Sequence, residues 1–287
     1  MAFIANETVD KVSTQSIELL DGSCVTFEDD ALSDRIRCDH PDASSSEELA
    51  NRLLVEASVS GRGRVVLMAS EEMGKGLLEE GFECEAQIPG FYKGEEDCWI
   101  MGAWPDEGRQ ELANPKQVAR VMDILDAANP PTHRERVVTS AASVEDAAAI
   151  AELIGSVFDV YPTPSDDPAY IAEDIYSGTP YRVVRDGGKI VACASADLVE
   201  GALSAELTDC ATRPSHRGQG LMSAILADLI IDLKALDFET AFTMARANQV
   251  GMNLVFQRLG FDLHGTMSQS CYIGSGLEDM NVWSQGL

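Results

Sequence analysis

The chain has 287 residues, 45% of them apolar, and 48 acidic against 21 basic side chains, giving a formal net charge of −27. That length accommodates two domains with separate cores, and the charge excludes nucleic acid as a partner, because a polyanion would be repelled. No apolar run approaches the roughly 20 residues that span a bilayer, and MAFIANETVD lacks the basic start and apolar core of a signal peptide, so the expectation is a cytoplasmic protein with no membrane partner.

Seven scattered cysteines without a CxxC pair fit free thiols in a reducing compartment, and four histidines without ligand spacing argue against a metal site. Acids are spread through both halves and only six basic residues are lysine. That pattern points to a salt-adapted cytosol, where dense carboxylates stay hydrated and their repulsion is screened.

In chain order, residues 1 to about 15 show no sustained periodicity. Segments 16–20 and 24–27 flank Asp21-Gly22-Ser23 as a hairpin, 34–38 reads as a short strand, and Ser44 to Ser46 ahead of Glu47 and Glu48 start a helix that Gly61 stops. A buried strand over 64–69, a helix over 71–80, the turn Gly81-Phe82 and a strand at 98–101 follow. A helical pattern over 115–128 ends at Asn129-Pro130-Pro131, which with the charged THRERV makes the best linker in the chain. The second half opens with a strand at 137–139, and Ser143 caps a helix with Ile150, Leu153, Ile154 and Val157 on one face. A helix over 167–176 and strands 181–185 and 189–196 joined by Asp186-Gly187-Gly188 come next. Then come a strand over 204–212, a long helix over about 219–236, a strand over 240–246, a helix over 251–259, and two closing strands.

The stretch AELTDCATRPSHRGQGLM, residues 205–222, organises this half. Its alternation suits a strand, Pro214 ends it, and Gly218 and Gly220 let backbone amides approach a ligand at the start of a long helix. The unpaired N–H groups and dipole of that helix face the same spot, and Arg213, His216 and Arg217 lie there with no acid among them. An anion belongs at that point. The first half echoes the second: VVLMAS, LLEE, Gly81-Phe82 and Tyr92 correspond to AFTMAR, FQRL, Gly260-Phe261 and Tyr272. The segment equivalent to the clamp, 37–44, has no glycine and is acidic, so it should bind no pyrophosphate.

Arg217-Gly218-Gln219-Gly220-Leu221-Met222 resembles the R/Q-x-x-G-x-G/A acyl-CoA motif of the GNAT superfamily, with Met222 departing from its small last residue. AELTDCATRPSHRGQGL, ARANQVGMNLVFQRLGF and the tail 278–283 resemble the beta-lysine N-acetyltransferases. The resemblance implies a mixed-sheet α/β (α+β) GNAT fold over 137–287. It is preceded by a helix and Pro-rich linker over 113–136 and a partial, degenerate GNAT-like domain over 1–112. It further implies acetyl-CoA as co-substrate, no metal, and transfer of the acetyl group to the terminal amine of beta-lysine, giving a neutral compatible solute. Two other readings stay open: a GNAT enzyme for another small amine or a protein amine, and a non-enzymatic acyl-CoA-binding module. Oligomeric state is open, a homodimer included.

An alkyl ammonium with a pKa near 10.4 costs roughly 4.6 kcal/mol to neutralise at pH 7, so a base or an acidic pocket is useful. The resemblance makes Glu206, four residues before Cys210, the first candidate base and Asp209 the second. Strand alternation sets the two on opposite faces unless a bulge, usual in relatives, reverses parity. The backbone of Cys210, Ala211 and Thr212 is expected to pair with the pantetheine arm, one amide stabilising the oxyanion. The Cys210 thiol reads as packing, not as a nucleophile. Asn248 and Asn253 are candidate pantetheine contacts, although a helix cap explains Asn248 as well. Arg246, ending its strand at the cleft, is a candidate for the amino-acid carboxylate, with a surface ion pair as the other reading. Phe256 stands where many relatives carry an acid tyrosine, leaving Tyr272 as a substitute at the substrate.

Overall fold

The computed structural model describes residues 12–128 and 137–287. The expected Asn129-Pro130-Pro131 linker and the first eleven residues lie outside them. The chain divides into two compact units, one running up to Glu85 and including Trp99–Glu111, the other formed by Ala86–Cys98 and Leu112–Leu287.

In the first unit, β1 (Val12–Glu18) and β2 (Cys24–Asp30) form the hairpin around Asp21-Gly22-Ser23, and β3 (Arg35–Asp39) lies antiparallel to β2. β1 starts earlier than the sequence suggested, at Val12, because it pairs in register out to Asp30; its exposed face is polar and so carries no hydrophobic period. α1 (Ser46–Ser60) is capped by the Ser45 hydroxyl, which accepts from the Glu48 amide, and ends at Gly61, whose φ of 68° suits the left-handed cap. β4 (Arg64–Ser70) returns parallel to β3. α2 (Glu71–Glu79) leads to β5 (Glu83–Tyr92) and β6 (Glu96–Ala103), strands within which the chain passes from one unit to the other. Leu49, Leu53, Ala57, Val65, Leu67 and Leu77 form this unit's core.

The second unit begins with α3 (Pro115–Asp126), whose Pro at the first turn suits the missing N–H there. Its Val121 and Leu125 join the second unit's core. β7 (Ser140–Ala141), α4 (Ala147–Val157), α5 (Pro168–Tyr176), β8 (Tyr181–Asp186), β9 (Lys189–Val199), β10 (Ser204–Thr212), α6 (Leu221–Ala235), β11 (Thr240–Arg246), α7 (Val250–Arg258), β12 (Asp262–Ile273) and β13 (Gly276–Gly286) follow in the expected order. β7 lies three residues past the expected 137–139, since Ser140 and Ala141 are the residues that pair with Val183 and Arg182. Strand order in this unit is β5-β12-β13-β11-β10-β9-β8-β7, mixed, with β10 and β11 parallel.

Helices cover both faces. Ala192, Ala194, Ala196 and Ala205 present small side chains to α6, which approaches with Ile225, Leu226, Leu229 and Leu233 fully buried. Each such side chain contributes about 1.5–3 kcal/mol. On the opposite face, Tyr181, Val183, Cys193 and Ala211 meet Ile150, Leu153, Ile154 and Ile171 of α4 and α5. No helix among the described residues is long and apolar enough to cross a membrane.

The two units repeat one element order, with two antiparallel pairings followed by a parallel one. Their parallel pairs differ. β3 and β4 stay in register from Arg35–Arg64 to Asp39–Met68, and the His40 amide continues the ladder to the Met68 carbonyl at 2.7 Å. β10 and β11 pair only at Ser204–Thr240, Ala205–Ala241 and Glu206–Phe242.

Candidate active site

Beyond Glu206–Phe242, the second unit's parallel strands part, and a cavity of about 610 Å³ opens between their ends. Leu207 to Cys210 and Thr212 line one side, Thr243 to Arg246 the other. The Thr243 hydroxyl donates to the Leu207 carbonyl at 2.8 Å just inside the split. A strand edge without a partner strand is a template for an extended, amide-bearing ligand.

The split coincides with a bulge. Thr208 pairs with Ser195 and Ala211 with Cys193, so β10 carries one extra residue there, and Asp209 adopts φ 50°. Parity reverses at that residue. Glu206 pairs with Asp197 and Thr208 with Ser195, while Asp209 bonds to Tyr181 on the α4–α5 face. Glu206 and Asp209 therefore share a face, against plain strand alternation.

Asp209 is only 5% exposed, yet it lines the cavity. Its Oδ1 accepts from the Ser165 hydroxyl at 3.0 Å and its Oδ2 from the Tyr181 hydroxyl at 2.9 Å, with Tyr161 a third donor. Burial pushes its pKa up; the hydroxyl donors pull it back, and Asp174 adds to the rise. Asp197 is pushed up to about 8 by burial and by Glu206, Asp209 and Asp174. Glu206 is not on the cavity wall but lies near enough to influence Asp197, Tyr161 and Cys210. Among the described residues no group of His, Cys, Asp and Glu is arranged to hold a metal ion.

Raised carboxyl pKa values couple to stability. Below about pH 4 Asp197 is protonated in both states, and as pH rises to about 8 only the unfolded chain ionises freely, so stability from this group is lost across that window. Asp197→Asn is expected to flatten the fall of the melting temperature between pH 5 and pH 8, which thermal melts across that range measure.

At the helix end of the cavity, the turn Pro214–His216 leads through Gly218 (φ 77°) to Gly220 (φ 80°), which caps α6. α6 starts at Leu221, two residues later than the periodicity indicated, because both glycines take left-handed conformations. Nothing lies within 4 Å of a Cβ built on Gly218. His216, Arg217, Gly218, Gly220, Leu221 and Met222 all line the cavity. Arg217 Nε donates to the Thr212 carbonyl at 3.2 Å, folding the turn back on β10. Met222 is 8% exposed and packs in the α6 core. Arg213 is turned away, donating to the Ile190 carbonyl and paired with Glu152 at 3.1 Å. Arg258 lines the cavity, a cation the sequence reading passed over.

Of the other residues singled out, Arg246 lines the cavity, pairs with Glu278 at 3.7 Å and lies over the Phe158 ring. Burial raises the Glu278 pKa and Arg246 lowers it. Phe256 lines the cavity and packs edge-on against Phe261. Burial raises the Cys210 thiol well above its ordinary range, which disfavours thiolate. Ala211 is fully buried, while Gln219, Asn248, Asn253 and Tyr272 are not on the wall. Asn248 Nδ2 donates to Glu278 at 2.5 Å. Tyr272 sits beside Ile273, which does line the cavity, and neighbours in a strand point to opposite faces.

Asn253 is saturated by the protein itself. Its Nδ2 donates to the Arg246 and Gln249 carbonyls at 2.9 and 2.7 Å, and its Oδ1 accepts from Asn281 and from the Trp283 indole at 2.8 and 2.9 Å. Asn253→Ala leaves buried donors on Asn281 and Trp283 without this acceptor, and is expected to cost about 3 kcal/mol in denaturant-unfolding experiments.

Residues 148–261 match the model of the acetyltransferase (GNAT) family. The chain is 30% identical over 265 residues to the beta-lysine N(6)-acetyltransferase of Methanosarcina mazei, covering 84% of this chain and 97% of that one. It is 27% identical over 269 residues to the N-acetyltransferase YodP of Bacillus subtilis, covering 93% and 97%. The GNAT superfamily phosphinothricin acetyltransferase from Sinorhizobium meliloti, solved in complex with AcCoA, aligns with a TM-score of 0.47 at 20% identity over 53% of this chain and 89% of that one. With a relative at 30% identity matched over nearly its whole length, the chain belongs to the acetyltransferase (GNAT) family and is an acyltransferase.

Proposed function

We propose that this enzyme transfers the acetyl group of acetyl-CoA to the terminal amine of beta-lysine, producing the compatible solute N-epsilon-acetyl-beta-lysine in the cytoplasm. The observation that carries the reading is Asp209, a buried carboxylate on the cavity wall where the strands part, with Asp197 and Glu206 beside it. A diamino acid brings two ammonium groups to that acidic wall. The similarity to the beta-lysine N(6)-acetyltransferases of Methanosarcina mazei and Methanococcus maripaludis points the same way, and the acid-rich composition suits a cell that accumulates solutes against salt.

The residues present suit acetyl-CoA. Gly218, Gly220 and the α6 N-terminus, with Arg217 and His216, would hold the pyrophosphate. The β10 edge from Cys210 to Thr212 would pair with the pantetheine amides. When bound, acetyl-CoA supplies an activated acyl carbon and a sulfur leaving group whose thiol pKa near 8.5 makes an added acid dispensable. Asp209 takes a proton from the acceptor ammonium and so frees the lone pair that attacks, Glu206 attracts the second ammonium, and Arg246 draws the acceptor carboxylate. The N-terminal domain, 1–112, is a degenerate copy of the half-fold that holds no donor.

A simple diamine is the second reading, favoured by the pairing of Arg246 with Glu278, which leaves its charge shared. A thiol-release assay with beta-lysine, alpha-lysine and diamines separates the two. The proposal expects beta-lysine to give the highest kcat/KM; an equal value for a diamine lacking the carboxylate contradicts it.

A further inference from the structure

We propose that Tyr181 and Asp174 form the exit path for the proton that Asp209 removes from the acceptor amine; this rests on the reading of Asp209 as the base. Acetyl transfer from a thioester to an ammonium yields an amide, a thiol and one free proton, and a base that is 5% exposed needs a way to discharge it. Tyr181, itself buried on β8, bridges Asp209 and Asp174, with its hydroxyl oxygen 2.9 Å from Asp209 Oδ2 and 2.8 Å from Asp174 Oδ2. Asp174 stands on α5, half-buried, and its Oδ1 accepts from the Thr179 hydroxyl at 2.7 Å. Among the described residues these contacts lead from the cavity wall towards the surface.

A hydroxyl carries one proton and cannot donate to two carboxylates at once. Both contacts are hydrogen bonds only when one of the two carboxyl groups is protonated, so the geometry itself accommodates a shared proton. With Asp209 ionised, Tyr181 donates to it. After the ammonium N–H bond breaks and its proton binds an Asp209 oxygen, the Tyr181 hydroxyl rotates toward Asp174, and the neutral carboxyl turns its O–H onto the Tyr181 oxygen. The proton then moves from Asp209 to that oxygen as the tyrosine proton moves to Asp174, which releases it to water. Tyr181 ends as it began, facing Asp209. No oxidant or second reactant is involved, and the charge leaving the cavity equals that brought in by the ammonium.

Other ionisable groups face this route: Asp197 and Cys193 from β9, Glu206 and Cys210 from β10, and Tyr161 from the α4–α5 connection. None of them is positioned between Asp209 and Asp174 by the hydrogen bonds described here. Burial also keeps the Tyr181 phenol neutral, as a relay that passes but does not keep a proton requires.

The test uses the full chain with acetyl-CoA and an amine the wild type acetylates. Asp174→Asn keeps an acceptor for Tyr181 but cannot take a proton; kcat should fall about tenfold with KM for acetyl-CoA unchanged, and Tyr181→Phe should behave alike. Added imidazole at constant ionic strength should restore the rate of Asp174→Asn in proportion to its concentration, and Asp174→Glu should retain activity. In the protein without donor, a protonated-carboxyl infrared band that is missing in Asp209→Asn should grow in as pH falls through the acid limb of kcat, and should shift in Tyr181→Phe. A kcat for Asp174→Asn within about twofold of wild type, or a fall indifferent to imidazole, overturns the relay while leaving Asp209 as the base. Wild-type rates in Asp209→Asn would overturn the base assignment and the relay with it.

Discussion

Asp209→Asn is expected to lower kcat by about 10²- to 10³-fold while the KM for acetyl-CoA stays near that of the wild type. The side chain sits on the wall of the cavity at the point where β10 and β11 separate, and its two oxygens are oriented by Ser165 and Tyr181. Asparagine has the same shape but accepts no proton from an ammonium. Burial disfavours the charge on Asp209, and that charge in turn helps to raise the Asp197 pKa, so the neutral amide is expected to leave unfolding by urea close to wild type. The pH profile carries an independent sign. Burial holds the Asp209 pKa above the usual carboxylate range, and only the ionised form serves as a base, so the acid limb of wild-type kcat should lie above pH 4 and disappear in the variant. Steady-state kinetics across pH, with urea unfolding as a control, measure both. An unchanged acid limb in Asp209→Asn assigns it to another group, with Asp197 and Glu206 the nearest.

The second large effect is expected at Gly220. This residue caps α6 at φ 80°, in the region where a side chain costs about 1–2 kcal/mol and a β-branched one more. It also lines the cavity beside the first-turn amides of the helix. Gly220→Val adds a branched side chain where an anionic ligand must meet backbone N–H groups, and forces the turn towards another conformation. The dissociation constant for acetyl-CoA should rise about 10- to 100-fold, equivalent to about 1.4–2.8 kcal/mol. Calorimetric titration measures it. Gly218→Ala, at the other glycine of the turn, has a similar φ of 77° and no protein atom within 4 Å of its Cβ, and the smaller side chain should weaken acetyl-CoA less than Gly220→Val. Wild-type affinity in Gly220→Val would contradict the assignment of the donor to this turn.

Much of this was legible in the residues because the signals were local. Asp186-Gly187-Gly188 sits in a hairpin between β8 and β9, and the apolar faces of α4 and α6 lie against the sheet as their periodicity requires. The glycines at 218 and 220 both take a positive φ, a conformation that favours glycine. What the sequence concealed depends on partners distant in the chain. Tyr161, Ser165, Asp174, Tyr181 and Asp197 converge on Asp209 from the α4–α5 connection, α5, β8 and β9, and no spacing rule links them. The bulge that turns Asp209 to the Glu206 face follows from pairing with β9, where Thr208 and Ala211 oppose Ser195 and Cys193. Asn253 reads as a ligand contact on its local helix, yet Asn281 and Trp283 of β13 occupy its oxygen. Arg213 lies in the basic turn by sequence and pairs with Glu152 of α4 in space.

The shared order of elements in the two units ends differently in each. Continuous pairing of β3 with β4 to Asp39–Met68 leaves no open strand edge at that point in the first unit, whereas β10 and β11 release theirs after Glu206–Phe242. Among the described residues only the second unit offers such an edge to the proposed donor, and calorimetric titration should give one equivalent of acetyl-CoA.

Acetyl transfer to the terminal amine of a diamino acid at the Asp209 wall is the central proposal. The direct measurement is to incubate the wild-type protein with acetyl-CoA and beta-lysine and to locate the acetyl group by NMR. The expected result is a monoacetylated product carrying the acetyl group on the terminal nitrogen alone. Acetylation of the nitrogen nearer the carboxylate, or no product under conditions where another amine is acetylated, would contradict it.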